Sequence, residues 1–409
     1  MLSKNRIVSL IASLSLGISV STEAADIDFS AVSGAEVRGF TDSATQGQDD
    51  WGLSAYFEPE WYFKLDDSVF NLKLFVRGDS MDSERSHGDI REAYWQTVGD
   101  EWSLTLGVNK VFWGVAESQH LVDIINQTDQ VENIDGEDKL GQLMINYNWE
   151  KDWGTLSLYV LPGFRERTFP GEEGRLRFEI PIDSDEALYE SSAEEYHTDI
   201  ALRFSKVIDA WDLGFSLFHG TSRDPLLALD LTTGSLQPYY PQISQFGVDA
   251  QATIGAWLWK VEYIYRSGFR FPGDNEEGDY HAAVAGFEFS QYGIADSAID
   301  LGWVLEYQYD ERSRLGSAGF SIELSDVVIG AARFTFNDVQ SSDLLVGLGI
   351  EVDNDARFLS IEGSRRIGDD MRVSIEGRVF NGITDDPTLS LFYSYRNDSF
   401  VQLTLEKFF

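Results

Sequence analysis

Along most of the chain, apolar and polar side chains alternate with a period of two, the spacing of a β-strand whose two faces meet different surroundings. From residue 371 onward Met371, Val373, Ile375 and Val379 alternate with Arg372, Ser374, Glu376 and Arg378. Just before them Leu359 and Ile361 oppose Ser360, Glu362, Ser364 and Arg366. Asn71, Lys73 and Arg77 oppose Leu72, Leu74 and Val76, while Glu306, Gln308 and Asp310 oppose Leu305, Tyr307 and Tyr309. A soluble sandwich or barrel of this size would turn its apolar face inward. Ionised residues repeated on one face suit a water-filled interior with the apolar face on lipid. The chain ends in the same way, with Val401, Leu403 and Leu405 on one face, Gln402, Thr404 and Glu406 on the other, and an aromatic terminus at Phe409.

Strand-like segments fall at about 27–40, 51–66, 68–80, 88–100, 101–112, 138–150, 153–163, 196–209, 210–220, 243–256, 257–267, 279–293, 297–310, 327–338, 341–353, 356–366, 370–381 and 398–409. That gives roughly eighteen strands, with sixteen as the alternative count, even as bacterial single-chain barrels require. Short connections at Asp66–Asp67, Gly99–Asp100, 150–152, Asp209–Ala210, Gly255–Ala256, Ala295–Asp296 and Gly368–Asp369, with a slightly longer one at 338–342, alternate with long ones at 41–50, 81–87, 113–137, 164–195, 221–242, 268–278, 311–326 and 382–397. Only Asn354–Asp355 is short on the long-loop side. Trp102, Trp153, Trp211 and Trp257 open strands just after short turns, and Trp51 follows a long one, as interfacial girdles would have them. The fold predicted is all-β: a transmembrane, antiparallel, up-and-down β-barrel.

The N-terminus fits export. Lys4 and Arg6 precede an apolar stretch, Ile7 to Val20, after which Thr22 and Ala24 supply the small residues of a cleavage site. Residues 1–24 are therefore expected to be a signal peptide and 25–409 the barrel. No later run approaches the 18 or so apolar residues of a membrane helix, so a spanning chain must close as a barrel. The absence of cysteine removes disulfide and thiolate chemistry, and a net charge of −38 opposes nucleic acid. His87, His120, His197, His219 and His281 all map to the outer half, yet no nucleophile elbow, phosphate-cradling loop or paired-histidine motif accompanies them. No catalytic residue, metal site or cofactor is expected.

Chemistry concentrates in the third long loop, 113–137, which carries Glu117, His120, Asp123, Asn126 and Asp129 around an apolar patch of Leu121, Val122, Ile124 and Ile125. Open water disfavours such a patch, so the loop is expected to fold into the barrel and narrow it; packing on neighbouring loops is the alternative. Lys73, Arg77, Lys260, Glu262, Arg266, Glu306, Glu362, Arg372, Glu376 and Arg378 are expected to face the lumen, where opposed basic and acidic ladders would select solutes or pair with each other and stiffen the wall. The fourth loop is crowded with carboxylates, among them Glu172, Glu173, Glu179, Asp183, Asp185 and Glu186, which favours cations at the mouth.

On these residues the chain resembles outer-membrane porins, which commonly fold their third outer loop inward. The run from Gly107 through Trp113 and Gly114 to Ile125, Asn126 and Asp129 is similar to a strand-end and loop pattern of porin-like barrels of the alginate-export kind. Lys407 departs from the usual terminal signature, which carries an aromatic or apolar side chain there. The resemblance implies a passive diffusion channel for small hydrophilic solutes in the bacterial outer membrane. Its partners would be membrane lipids, lipopolysaccharide and the barrel assembly machinery, with no nucleic acid, and a homo-oligomer is compatible with it. A hydrolase with its site at the outer rim, or a structural barrel without conductance, is the competing reading.

Overall fold

A computed structural model of the chain describes residues 26–269, 278–314, 326–352, 356–381 and 394–409. The expected signal peptide and the connection at Asn354–Asp355 lie outside them. The first strands are β1 (Asp26–Phe40), β2 (Trp51–Leu65), β3 (Ser68–Asp79), β4 (Gly88–Val98), β5 (Trp102–Asn109), β6 (Gln142–Lys151) and β7 (Gly154–Pro162). They are followed by β8 (Leu188–Tyr189), β9 (Thr198–Ile208), β10 (Trp211–Thr221), β11 (Leu226–Leu229), β12 (Leu236–Tyr240), β13 (Gln242–Ile254) and β14 (Trp257–Phe269). The last are β15 (Gly278–Gln291), β16 (Asp300–Asp310), β17 (Val327–Thr335), β18 (Asp343–Glu351), β19 (Arg357–Ile367), β20 (Met371–Asn381) and β21 (Phe400–Phe408).

Eighteen of these form one antiparallel sheet in which each barrel strand pairs with the next. The sheet closes where β21 pairs with β1, from Val32 opposite Phe408 to Phe40 opposite Phe400. Closure leaves no strand edge unpaired in lipid. The remaining three, β8, β11 and β12, make a small sheet in the outer loops that the alternation pattern did not predict. They are two to five residues long, too short for a period of two to stand out in the sequence, and Leu227 and Leu236 pack on Phe169 and Phe178 of the fourth loop.

The faces separate as the closed wall demands. Val401, Leu403 and Leu405 stand out from the barrel, while Gln402 is buried on the inner side. Trp102, Trp153, Trp211 and Trp257 are all exposed beside the short turns. The connection expected at Ala295–Asp296 proves longer: residues 292–299 carry a single 3-10 turn, Ile294–Asp296. In β4 the register against β3 slips between Lys73 and Leu74, so Glu92 and Ile90 face consecutive partners and Arg91 is the extra residue. This bulge turns both Arg91 and Glu92 inward, as bulges re-aim side chains.

Candidate functional site

The third outer connection, residues 110–141 and called L3 below, lies inside the barrel. Val122 and Ile125 are fully buried, and Leu121 and Ile124 nearly so. They pack on Met144, Tyr159, Leu161, Phe218, Ile264 and Val284, among other residues of the inner wall. Burying each of these four side chains contributes roughly 1.5–3 kcal/mol, which holds the loop down without any special bond.

Two carboxylates on the wall then fix the loop backbone. Oε1 of Glu262 (β14) accepts N–H bonds from Val115 at 2.7 Å and Ala116 at 2.9 Å, and its Oε2 accepts one from Val122 at 3.2 Å. Glu306 (β16) accepts from the backbone of Glu117 and Ser118, each at 2.9 Å, and from the Ser118 hydroxyl at 2.5 Å. Gly114 makes the first of these clamps possible. Its φ is +132°, and a Cβ there would stand 2.8 Å from Oε1 of Glu262. Only glycine adopts that backbone freely.

The residues expected in the constriction part ways. Glu117 lies along the β14 to β17 wall, accepting from Lys260 at 2.6 Å and from Arg333 at 2.8 Å. His120 meets Glu137 at 2.9 Å through Nε2. Asp123 is buried, accepting from the Trp113 backbone N–H at 3.3 Å. Asn126 ties the loop to itself: its amide donates to the carbonyls of Asn109 and Leu140, each at 2.9 Å, and its oxygen accepts from Val111. Asp129 is fully buried, accepting from Arg91 at 2.6 Å and from Thr168 at 2.7 Å. Thus Glu117 and His120 border open space, whereas Asn126 and Asp129 hold the loop's shape.

Each cation expected to face the lumen lies against a carboxylate. Lys73 pairs with Glu58 at 2.8 Å, and Arg77 with Glu132 at 2.7 Å and Glu36 at 3.2 Å. Arg372 pairs with Glu406 at 2.7 Å, and Arg378 with Glu362 at 2.9 Å and Glu376 at 3.1 Å. Lys260 also contacts Glu288, and Arg266 meets Asp224 at 2.7 Å. The wall charges are therefore locked in fixed positions.

Several functional side chains escaped the sequence reading. Arg91 did because the bulge breaks the alternation. Arg85, Arg167, Arg175, Arg223 and Arg312 did because only strand-borne cations were weighed. Arg175 (2% exposed side chain) joins the fourth loop to two others. It donates to Asp398 at 2.6 Å, Asp50 at 3.1 Å and the carbonyls of Asp42 and Asn397, and its guanidinium lies 4.2 Å from the Phe40 ring. The fourth loop is thereby strapped across the mouth. Arg167 and Arg266 share Asp224, and although burial opposes its charge, these guanidiniums hold that carboxyl well below the usual range.

Within L3, burial pushes the Asp135 carboxyl up to about 6. Burial, with Glu132 and Asp135 nearby, pushes Asp138 up to about 7. Burial disfavours the His120 imidazolium, but the Glu137 carboxylate outweighs it and raises its pKa.

Two other groupings bear on chemistry. His87, Asp129 and Glu132 bring ligand atoms within 4.8 Å of one another, but Arg91 and Arg77 already occupy those carboxylates, so a metal cation would meet two guanidiniums. At the rim His219 Nδ1 lies 3.0 Å from Ser244 Oγ, as cross-strand neighbours on β10 and β13. Among the described residues no carboxylate or amide orients that ring, which a nucleophilic dyad needs.

No protein-family profile matches the chain, and no curated protein matches it. Among solved structures it is similar to Wzi of Escherichia coli, described as an outer-membrane, carbohydrate-binding β-barrel involved in group 1 capsule assembly. That likeness has a TM-score of 0.52 at 12% identity and covers 93% of this chain and 84% of Wzi. A loop-deletion mutant of OmpT, an outer-membrane protein of Vibrio cholerae, gives 0.47 at 11% identity over 95% of this chain and all (100%) of that one. OprB of Pseudomonas putida gives 0.43 at 9% identity, covering 94% of each chain. The closed, antiparallel wall of eighteen strands defines the class by its fold: an up-and-down β-barrel of the architecture that the outer-membrane barrel Wzi also has.

Proposed function

We propose that the protein is a channel of the bacterial outer membrane that passes small hydrophilic solutes by passive diffusion, with L3 as its constriction. The observation that carries this reading is a loop seated on the inner wall by buried apolar side chains and clamped by Glu262 and Glu306. Such a loop narrows the lumen while leaving charged groups such as Glu117, Lys260 and Arg333 at its edge. Selection is then steric and electrostatic. Around the wall, outer-membrane lipids and lipopolysaccharide contact the apolar face, and the barrel assembly machinery inserts it.

Purified protein in planar bilayers tests this. Wild type should conduct, and deletion of 116–134 should raise conductance while heat-modifiable gel migration persists. Unchanged conductance in a folded deletion mutant would overturn the constriction. At 0.1 M salt the acidic outer loops should give mild cation preference, fading at 1 M as the Debye length falls from about 10 Å to about 3 Å. Anion preference at 0.1 M would show that the inner arginines control passage.

The strap made by Arg175 favours a second reading, a barrel closed at its mouth that binds carbohydrate, as Wzi does, without conducting. Absence of current from correctly folded protein would select it. Hydrolysis of lipid or peptide substrates would instead establish an enzyme, a reading that only the unoriented His219–Ser244 pair supports.

A further inference from the structure

L3 touches the wall most of the way round, and over most of that contact it is sealed. Its apolar side chains sit on strands from β6 to β15. Toward β1, β3 and β4, Glu132 and Asp129 meet Arg77 and Arg91, and Arg77 also meets Glu36, with each of these side chains at most 6% exposed. The contact with the wall ends at two points. On one side Glu117 accepts from Arg333 (β17) at 2.8 Å, and on the other Asp135 lies 3.4 Å from Arg378 (β20).

Between those points run β18 and β19. A single inward row crosses them: Arg333 stands opposite Leu345, Leu345 opposite Glu362, and Glu362 opposite Glu376. At about 4.8 Å per strand, roughly 14 Å of wall separates β17 from β20. Facing this stretch, L3 presents Glu137, which meets His120 at 2.9 Å. Here the side chains are wet: Glu137 is 57% exposed, Glu362 43% and Arg333 41%. Glu137 is close enough for its charge to act on Glu362. His120, Asp135 and Glu137 also line a cavity of about 240 Å³ that reaches Arg167 and Tyr395 in the outer connections. Charge along the stretch is unbalanced. Lys260 and Arg333 match Glu117 and Glu288, but the one guanidinium of Arg378 meets Asp135, Glu362 and Glu376, an excess of two negative charges when all three are ionised.

We propose that solutes cross L3 through this off-centre eyelet between β17 and β20, and that Glu137 and Glu362 make it prefer cations, ammonium and guanidinium compounds among organic solutes, over anions of equal size. The proposal deepens the channel reading and rests on it. A route elsewhere around the loop would have to part buried ion pairs or the apolar seat, whereas this one opens from the outer cavity past exposed side chains. Carboxylates confined beside low-dielectric walls attract cations more strongly than the same groups on open loops.

Bilayer recordings on the full barrel at pH 8 test the route and its preference, with folding of each variant checked by heat-modifiable migration. Leu345→Cys, modified with a trimethylammonium-ethyl methanethiosulfonate, should lose at least half of its single-channel conductance. The same reagent on Gln96→Cys, whose native side chain bonds Thr105 on β5, should change the current by less than about a tenth. Equal effects at both positions, or none at Leu345→Cys once mass spectrometry shows the adduct, would overturn the route. In a potassium chloride gradient at 0.1 M, Glu137→Gln and Glu362→Gln should each lower the potassium-to-chloride permeability ratio by about half. Unchanged ratios in both would overturn the assignment of selectivity to these carboxylates. No current from folded wild type removes the channel reading and the eyelet with it, whereas undiminished current through labelled Leu345→Cys removes the eyelet and keeps the channel.

Discussion

The clamp on L3 can be broken at one atom pair. Replacing Glu262 by alanine removes the acceptor for three backbone N–H groups, those of Val115, Ala116 and Val122. Hydrogen bonds to a charged group contribute about 1.5–3 kcal/mol each, so three set an upper bound of roughly 4.5–9 kcal/mol. Lumen water can enter beside the loop and re-satisfy part of this, and the bonds to Glu306 remain. We therefore expect a local loss of about 2–4 kcal/mol in Glu262→Ala. Glu262→Gln keeps an acceptor oxygen for the Val115 and Ala116 pair and should lose only about 1–2 kcal/mol. The barrel itself should survive, because its strands pair all round. Val122 and Ile125 also remain buried, so the loop should loosen over 113–120 rather than leave the lumen. Limited proteolysis of the folded barrel, read by mass spectrometry, should show cleavage within L3 in the order alanine, glutamine, wild type. Single-channel records should show rising open-state noise in the same order. Folded Glu262→Ala with wild-type protection and quiet current would refute the clamp.

Three further outcomes follow from the same geometry. Ile375 stands on the lipid face, 45% exposed, so Ile375→Arg should destabilise the barrel by about 2–4 kcal/mol in refolding titrations, and Glu376→Gln far less. A cysteine at 376 should label through the pore with a water-soluble thiol reagent, and ready labelling of 375 instead would place the facing one residue out of step. Asp135 and Asp138 have folded-state pKa values raised to about 6 and 7, so the folded chain takes up protons over a range where unfolded carboxylates stay ionised. Their ionisation weighs against the fold at high pH, and this penalty is relieved as pH falls through about 7 and then 6. Over the same window cation preference in reversal-potential measurements should decline, and a flat profile from pH 8 to 5 would contradict it. Arg175→Ala leaves Asp398 buried without its partner, a loss of about 3–5 kcal/mol felt locally. Hydrogen exchange should rise across 168–180, and unchanged protection there would show that the apolar contacts of Leu176 alone hold the strap.

What the chain determined by itself is local and periodic. Side chains on a strand alternate strictly, so Ile375 against Glu376, or Leu403 against Gln402, declares which surface meets lipid once one face carries charge. Connection lengths and the interfacial tryptophans then order the strands into an up-and-down wall. The apolar run Leu121 to Ile125 announced that L3 must be covered, since four such side chains do not stay in water. Period two fails where the backbone slips: the bulge at Arg91 turns an unexpected cation inward, and the short strands β8, β11 and β12 pack as loops do. Which inner residues meet the loop was decided only by closure of the barrel. Glu262 and Glu306 look like any other lumen carboxylates in sequence, yet they lie 147 and 189 positions from the N–H groups they receive. Arg175 likewise finds Asp398 across 223 residues. Long-range pairings of this kind depend on where a wound and tilted sheet brings its two ends, and no local pattern along a strand encodes that distance.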